Sequence, residues 1–144
     1  MKIEINFDMD GTIADFYGVE GWLDYLIAED TYPYAVARPL LNLQLLARRL
    51  NRLIATGHSV NIISWTSRNG SPEYNARVKE VKLKWLKQHL SSVKFDAIHI
   101  IPYGTPKQNY GTGILFDDEE RNRTAWGENA YDEKSIFDIL KGLD

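Results

Sequence analysis

Asp8 and Asp10, two carboxylates separated by one residue, close an apolar run at the start of the chain and are followed by Gly11 and Thr12. If the backbone turns at Asp8, which Gly11 permits, both acids can converge on one ligand. A second acid pair, Asp117-Asp118, follows the apolar run Ile114-Leu115-Phe116. Between the pairs lie Ser64 after Ile62-Ile63, then Trp65, Thr66 and Arg68, and later Lys107. Phosphoryl transfer needs a nucleophile, a proton donor for the leaving oxygen, and cations that neutralise the equatorial oxygens. This set supplies all three kinds of group. Carboxylates crowded around a phosphate also require a metal to offset their charge.

The whole composition narrows the field further. The 144 residues carry a net charge of -3, which provides no general basic field for non-specific nucleic-acid binding, although a local basic patch is compatible with it. With 44% hydrophobic and 26% charged residues, the chain reads as a soluble globular domain spanning 1–144. There is no cysteine, so disulfide and thiolate chemistry are excluded. A metal would have to be held by oxygen ligands or by His58, His89 and His99, whose spacing is unlike a metal site and predicts ordinary surface or core roles. Oxygen ligands favour a hard ion such as Mg2+. The chain runs straight into its first strand, without signal-peptide regions or a membrane-length apolar run, and a cytoplasmic protein is expected.

The elements that must position these residues follow from periodicity. Ile3, Ile5 and Phe7 alternate with Glu4 and Asn6, a strand ending at Asp8 whose second face is expected to be only partly covered. A short helix and loop are expected over 16–27, broken by Thr31-Tyr32-Pro33-Tyr34. Leu43, Leu46, Ala47, Leu50, Leu53 and Ile54 recur at helical spacing. A second strand is predicted over 60–64. Ser71-Pro72-Glu73 then opens a helix to about Leu90, with Tyr74, Val78, Val81, Trp85 and Leu86 inward and lysines 79, 82, 84 and 87 on a solvated face. Further strands are predicted over 97–101 and 114–116, with Glu119 and Glu120 opening a helix and a terminal helix from about Asp132. Alternating strands and helices imply an α/β fold, a three-layer sandwich on a mainly parallel sheet. In such sheets ligands bind at the carboxyl ends of the strands, where the polar residues named above fall.

Asp8-Met9-Asp10-Gly11-Thr12, Ser64, Lys107 and Ile114-Leu115-Phe116-Asp117-Asp118, in this order, resemble the four motifs of the haloacid dehalogenase-like (HAD) phosphohydrolases. The resemblance implies a Rossmann-like HAD fold and assigns a role to each matching residue. Asp8 would be the nucleophile that becomes an aspartyl-phosphate and also ligates Mg2+. Asp10 would protonate the leaving oxygen and then activate water, its backbone carbonyl touching the metal, with Thr12 steadying it. Ser64, or its neighbour Thr66, would supply the phosphate-binding hydroxyl of the second motif, followed by backbone amides. Lys107 would bridge nucleophile and phosphate, Asp117 would ligate the metal directly, and Asp118 would act through water. An acid at Asp10 implies a phosphatase rather than a dehalogenase, because halide leaves without a proton and an alkoxide does not. A response-regulator receiver is excluded, since its lysine lies after the phosphoacceptor and here the double aspartate follows Lys107.

Substrate choice in this family rests largely on cap insertions, and only about residues 14–34 are available for one, as a flap and short helix. The chain, itself near-capless, resembles two kinds of member: the 5'(3')-deoxyribonucleotidases, which share the fourth motif and a lysine placed similarly before it but carry a larger helical cap, and the minimally capped phosphatase domain of phage-type polynucleotide kinases. The latter have a Ser and an Arg after the second strand, here Ser64 and Arg68, then Lys-Trp, here Lys84-Trp85. The aromatics Phe16, Tyr17, Trp22, Tyr25 and Trp65 divide between core and possible nucleobase stacking. The expected activity is a Mg2+-dependent phosphomonoesterase acting on a nucleotide or other small phosphate ester. A 3'-phosphatase of nucleic-acid ends is the second expectation, and a catalytically weak phosphate-ligand binder or assembly partner the third.

Overall fold

The computed structural model describes residues 2–144. In chain order the elements are β1 (Glu4–Phe7), β2 (Ala14–Asp15), α1 (Trp22–Ile27), α2 (Tyr32–Val36), β3 (Arg38–Pro39), α3 (Leu43–Ala55), β4 (Ser59–Trp65), α4 (Pro72–His89), β5 (Ala97–Ile101), β6 (Ile114–Phe116), α5 (Glu120–Trp126), β7 (Ala130–Tyr131) and α6 (Ile136–Lys141), with 3-10 turns at Lys107–Asn109 and Glu133–Ser135. Five strands form one sheet in the order β5-β4-β1-β6-β7, and each neighbouring pair is parallel. Helices flank this sheet in the expected three-layer α/β/α arrangement. β1 is central, with β4 on one side and β6 on the other. Residues following these three strands therefore meet at one edge of the sheet.

Apolar side chains explain why the layers hold. Ile5, Phe7, Ile62, Leu115 and Phe116 of the sheet are buried, and the rings of Phe7 and Phe116 stack at 5.1 Å. Helix α3 starts where Asn42 accepts a hydrogen bond from the Leu45 amide and buries Leu43, Leu46, Leu50 and Leu53. Helix α4 starts where the Ser71 hydroxyl accepts from the Tyr74 amide, with Pro72 in its first turn.

The alternation in β1 has a different cause from the one expected. Asn6 is fully buried rather than facing a half-covered surface. Its side-chain amide donates to the carbonyls of Thr112 (2.7 Å) and Ile114 (3.0 Å), and its side-chain oxygen accepts from Asn61 Nδ2 (3.1 Å). Asn61 Oδ1 in turn accepts from the Ala97 amide at 3.0 Å. A buried amide is tolerated when every polar group is paired, and these two asparagines stitch β1 to its neighbours.

β2 and β3 pair antiparallel and bracket the segment that carries α1 and α2. The short helix α1 ends at Ile27, ahead of Thr31-Tyr32-Pro33-Tyr34, and that stretch does more than interrupt it. The stretch starts α2, with Pro33 in the first turn, where a missing N–H costs nothing. Phe16 and Tyr34 pack with Tyr74 and Val78 of α4 in a second apolar cluster. This cluster fixes the segment to the body of the protein. Near the C-terminus, the helix expected from Asp132 is split into a 3-10 turn capped by Asp132 and then α6. No helix among the described residues is long and apolar enough to cross a membrane.

Candidate active site

The chain leaves β1 in a tight turn. The Asp8 amide still donates to Phe116 O (2.9 Å), and the Met9 carbonyl then accepts from the amides of Thr12, Ile13 and Ala14. Gly11 has φ +81°, and a Cβ there would run into the Asp118 carboxylate. Both conditions select glycine, and the turn brings Asp8, Thr12 and Asp118 together.

Lys107, buried in its 3-10 turn, is the cation of this cluster. Its ammonium lies 2.8 Å from Asp8 Oδ1 and 2.7 Å from Asp117 Oδ2. Asp117, with no exposed surface, is also held by the Asn122 side-chain amide (3.1 Å) and by the Glu119 amide at Oδ1 (2.9 Å). Asn122 was not expected from the sequence. Its only sequence signal is its place near the start of the helix that follows the acid pair. Among the described residues Thr12 makes no side-chain hydrogen bond to Asp10. Its hydroxyl lies 3.0 Å from Asp8 Oδ2 and 3.2 Å from Asp118 Oδ1, and accepts from the Asp118 amide at 3.1 Å. The turn points Thr12 toward β6, whereas the Asp10 side chain reaches the other way, to α4.

There Asp10 meets a residue expected on a solvated face. Lys82 is 1% exposed, and its ammonium donates to Asp10 Oδ2 (2.8 Å), Ser64 Oγ (2.7 Å) and the Trp65 carbonyl (2.7 Å). The other three lysines of the group, 79, 84 and 87, are exposed as expected. The signal for Lys82 was its phase. It stands four residues from Val78, eight from Tyr74 and four from Leu86, on the stripe of α4 that these residues bury.

Ser64 is fully buried beneath Lys82 and does not line the cavity next to Asp8. β4 continues to Trp65, one residue further than predicted, so Ser64 sits within the strand and Thr66 follows its end. The cavity, of ≈ 290 Å³, is lined by Asp8, Asp10, Lys107, Asp117, Trp65, Thr66, Ser67 and Arg68. Its far wall comes from Phe16, Tyr17, Trp22 and Tyr34 of the segment between β2 and β3, with Tyr103 opposite. Tyr25 lies away from it, packed on Tyr32. The Trp65 indole is fixed by donating to Thr105 O (2.9 Å) and packs on Tyr103 at 4.8 Å. Arg121 lies over both rings, at 4.8 and 5.5 Å, and Arg68 over Tyr103 at 5.8 Å.

Burial and charge divide the acids. Burial pushes Asp8 up, but the Lys107 charge and hydrogen bond, helped by Asp118 and Lys82, outweigh it and hold Asp8 below the usual carboxylate value. Burial raises Asp10, with Asp8 adding to the shift and Lys82 opposing it. Asp117 is pushed up to about 6 by burial and then by Asp8, against Lys107. Asp118 is pushed up to about 8 by burial and then by its charge and hydrogen-bond contacts with Asp8. Asp8, Asp117 and Asp118 each offer an oxygen within 4.8 Å of the others. An all-oxygen cluster whose members resist joint ionisation fits a hard divalent cation such as Mg2+. Asp10 has its carboxylate on Lys82 and lies outside that trio.

This geometry can be set beside known structures. The chain matches, over 99% of its length, the crystal structure of a D,D-heptose 1,7-bisphosphate phosphatase from Burkholderia thailandensis, covering 98% of that chain at a TM-score of 0.57 and 11% identity. The chain has the haloacid dehalogenase-like fold. No family model and no curated protein matches the sequence. At this identity the likeness speaks for the HAD-like fold alone, so what the site does rests on its own residues. In this chain the acids after β1 and β6 and the cation after β5 share one sheet edge.

Proposed function

We propose that the protein is a Mg2+-dependent phosphomonoesterase that works through a phosphorylated Asp8, on a nucleotide or a similar small phosphate ester. The observation that carries this reading is the cavity that opens on Asp8 and Asp10 together, with Lys107 between Asp8 and Asp117. An Asp8 oxygen attacks phosphorus, a P–O bond to Asp8 forms, and the ester P–O bond breaks. The leaving oxygen takes its proton from the Asp10 carboxyl. Water then attacks phosphorus, Asp10 accepts its proton, and inorganic phosphate leaves with Asp8 restored. Thr66 and Ser67, which line the cavity, bind the phosphate oxygens, and Lys107 offsets their charge. Asp8, Asp117 and Asp118, with the Asp10 carbonyl, would hold Mg2+, which when bound neutralises charge on the phosphoryl group.

The aromatic walls support a planar group beyond the phosphate, and the segment over about 14–34 serves as a minimal cap. A second reading, a 3'-phosphatase of nucleic-acid ends, is favoured by Arg68 and Arg121, two exposed cations stacked at the rim. Phosphate release from p-nitrophenyl phosphate, with and without Mg2+ and in Asp8→Asn, tests the enzyme. Metal-dependent release lost in the variant supports it, and no release from any phosphoester leaves a phosphate-ligand binder. Comparing 5'-mononucleotides with a 3'-phosphorylated oligonucleotide separates the two substrates.

A further inference from the structure

We propose that Lys82 is the positioning residue of Asp10, fixing the carboxyl that serves the leaving group while Lys107 serves the nucleophile. The inference rests on the phosphatase reading of the same site. The two buried ammonium groups divide the acids between them: Lys107 takes Asp8 and Asp117, and Lys82 takes Asp10. Each proton of the Lys82 ammonium has an acceptor on a different residue, at 2.7–2.8 Å, on Asp10, Ser64 and Trp65. Its position is therefore set by the end of β4, and not by Asp10 itself.

The Tyr34 ring, in the segment between β2 and β3, lies 5.2 Å from the same ammonium and closes it from solvent. Among the described residues, Lys82 provides the one side-chain hydrogen bond made to Asp10. Asp10 is 20% exposed at the side chain and lines the cavity, with Oδ2 held by Lys82 and its other oxygen left for the leaving group. A buried ammonium is a poor choice for packing alone, because desolvating it costs more than an apolar side chain of the same volume would. Its presence on the apolar stripe of α4 is explained by what it holds.

The test compares kcat/KM for a primary alkyl phosphate with that for p-nitrophenyl phosphate, in wild type, Lys82→Met, Asp10→Asn and the double variant. The alkoxide needs a proton as it leaves and p-nitrophenolate does not, so loss of Asp10 positioning penalises only the first. We expect Lys82→Met to lose on the order of 10²-fold on the alkyl ester and about fivefold or less on p-nitrophenyl phosphate. In the Asp10→Asn background the same substitution should add almost nothing, since two residues acting as a unit are not additive. Ser64→Ala removes one anchor, leaves the charge, and should show the same selectivity in smaller measure. If Lys82→Met fails to fold, Ser64→Ala alone decides the matter. Equal losses on both esters, or full additivity with Asp10→Asn, would overturn the inference. Wild type inactive on both esters would instead overturn the phosphatase reading beneath it.

Discussion

Lys107 Nζ and Asp8 Oδ1 lie 2.8 Å apart, both nearly buried, with the same ammonium 2.7 Å from Asp117. Removing this cation leaves two carboxylates facing each other without compensation, a third close by, and little water to screen them. Lys107→Met is expected to destabilise the metal-free protein by about 3 kcal/mol, read from urea unfolding in chelator. Phosphate release should fall with it, and Mg2+ should restore stability more than activity.

The acid trio sets how the metal-free protein responds to pH. Asp117 and Asp118 are raised to about 6 and about 8, above their value in the unfolded chain. The folded state therefore binds more protons than the unfolded one between about pH 4 and pH 8, and stability falls as pH rises through that window. Asp8 is lowered, so its contribution changes only below that window. Thermal melts in chelator should show Tm decreasing from pH 5 to pH 8.5, and the increment produced by Mg2+ should grow over the same range. A Mg2+ increment independent of pH would contradict the assignment of these acids to the metal.

Gly11 and Asp118 make a second, steric test. Gly11→Ala places a Cβ against the Asp118 carboxylate at a positive φ. It should cost about 1–3 kcal/mol from backbone strain and weaken Mg2+ binding, measured by the metal-dependent shift in Tm. Gly104→Ala, at φ +86° with nothing near its Cβ, serves as the control that carries strain without the collision.

The aromatic wall predicts a split between binding and chemistry. Tyr103→Ala leaves Asp8, Asp10 and Lys107 untouched and removes a ring that Trp65 and two arginines pack on. KM for a nucleotide should rise several-fold, in line with about 1 kcal/mol for one stacked ring, with kcat nearly constant. KM for p-nitrophenyl phosphate should change less.

Much of this site was legible because its acids follow strands that announce themselves. Ile3, Ile5 and Phe7 alternate at strand spacing and Ile114-Leu115-Phe116 is apolar throughout, and a pair of acids follows each run. What could not be read were residues whose partner is distant in sequence. Lys82 reads as a surface lysine until Asp10, 72 positions away, is placed beside it. Asn6 reads as exposed until Asn61 is brought alongside by the register of β1 and β4. β4 runs one residue past its predicted end, so Ser64 lies inside the strand and Thr66 beyond it, a difference that periodicity resolves poorly. β7, with two residues, is too short for any alternation to show.

In the proposed reaction Asp8 carries the phosphoryl group. Wild-type protein mixed with Mg2+ and p-nitrophenyl phosphate, quenched in acid within a turnover and mapped by mass spectrometry, measures this directly. One phosphoryl group is expected on the peptide containing Asp8, absent in Asp8→Asn and without Mg2+. Turnover with no phosphorylated peptide, or phosphate release undiminished in Asp8→Asn, would contradict it.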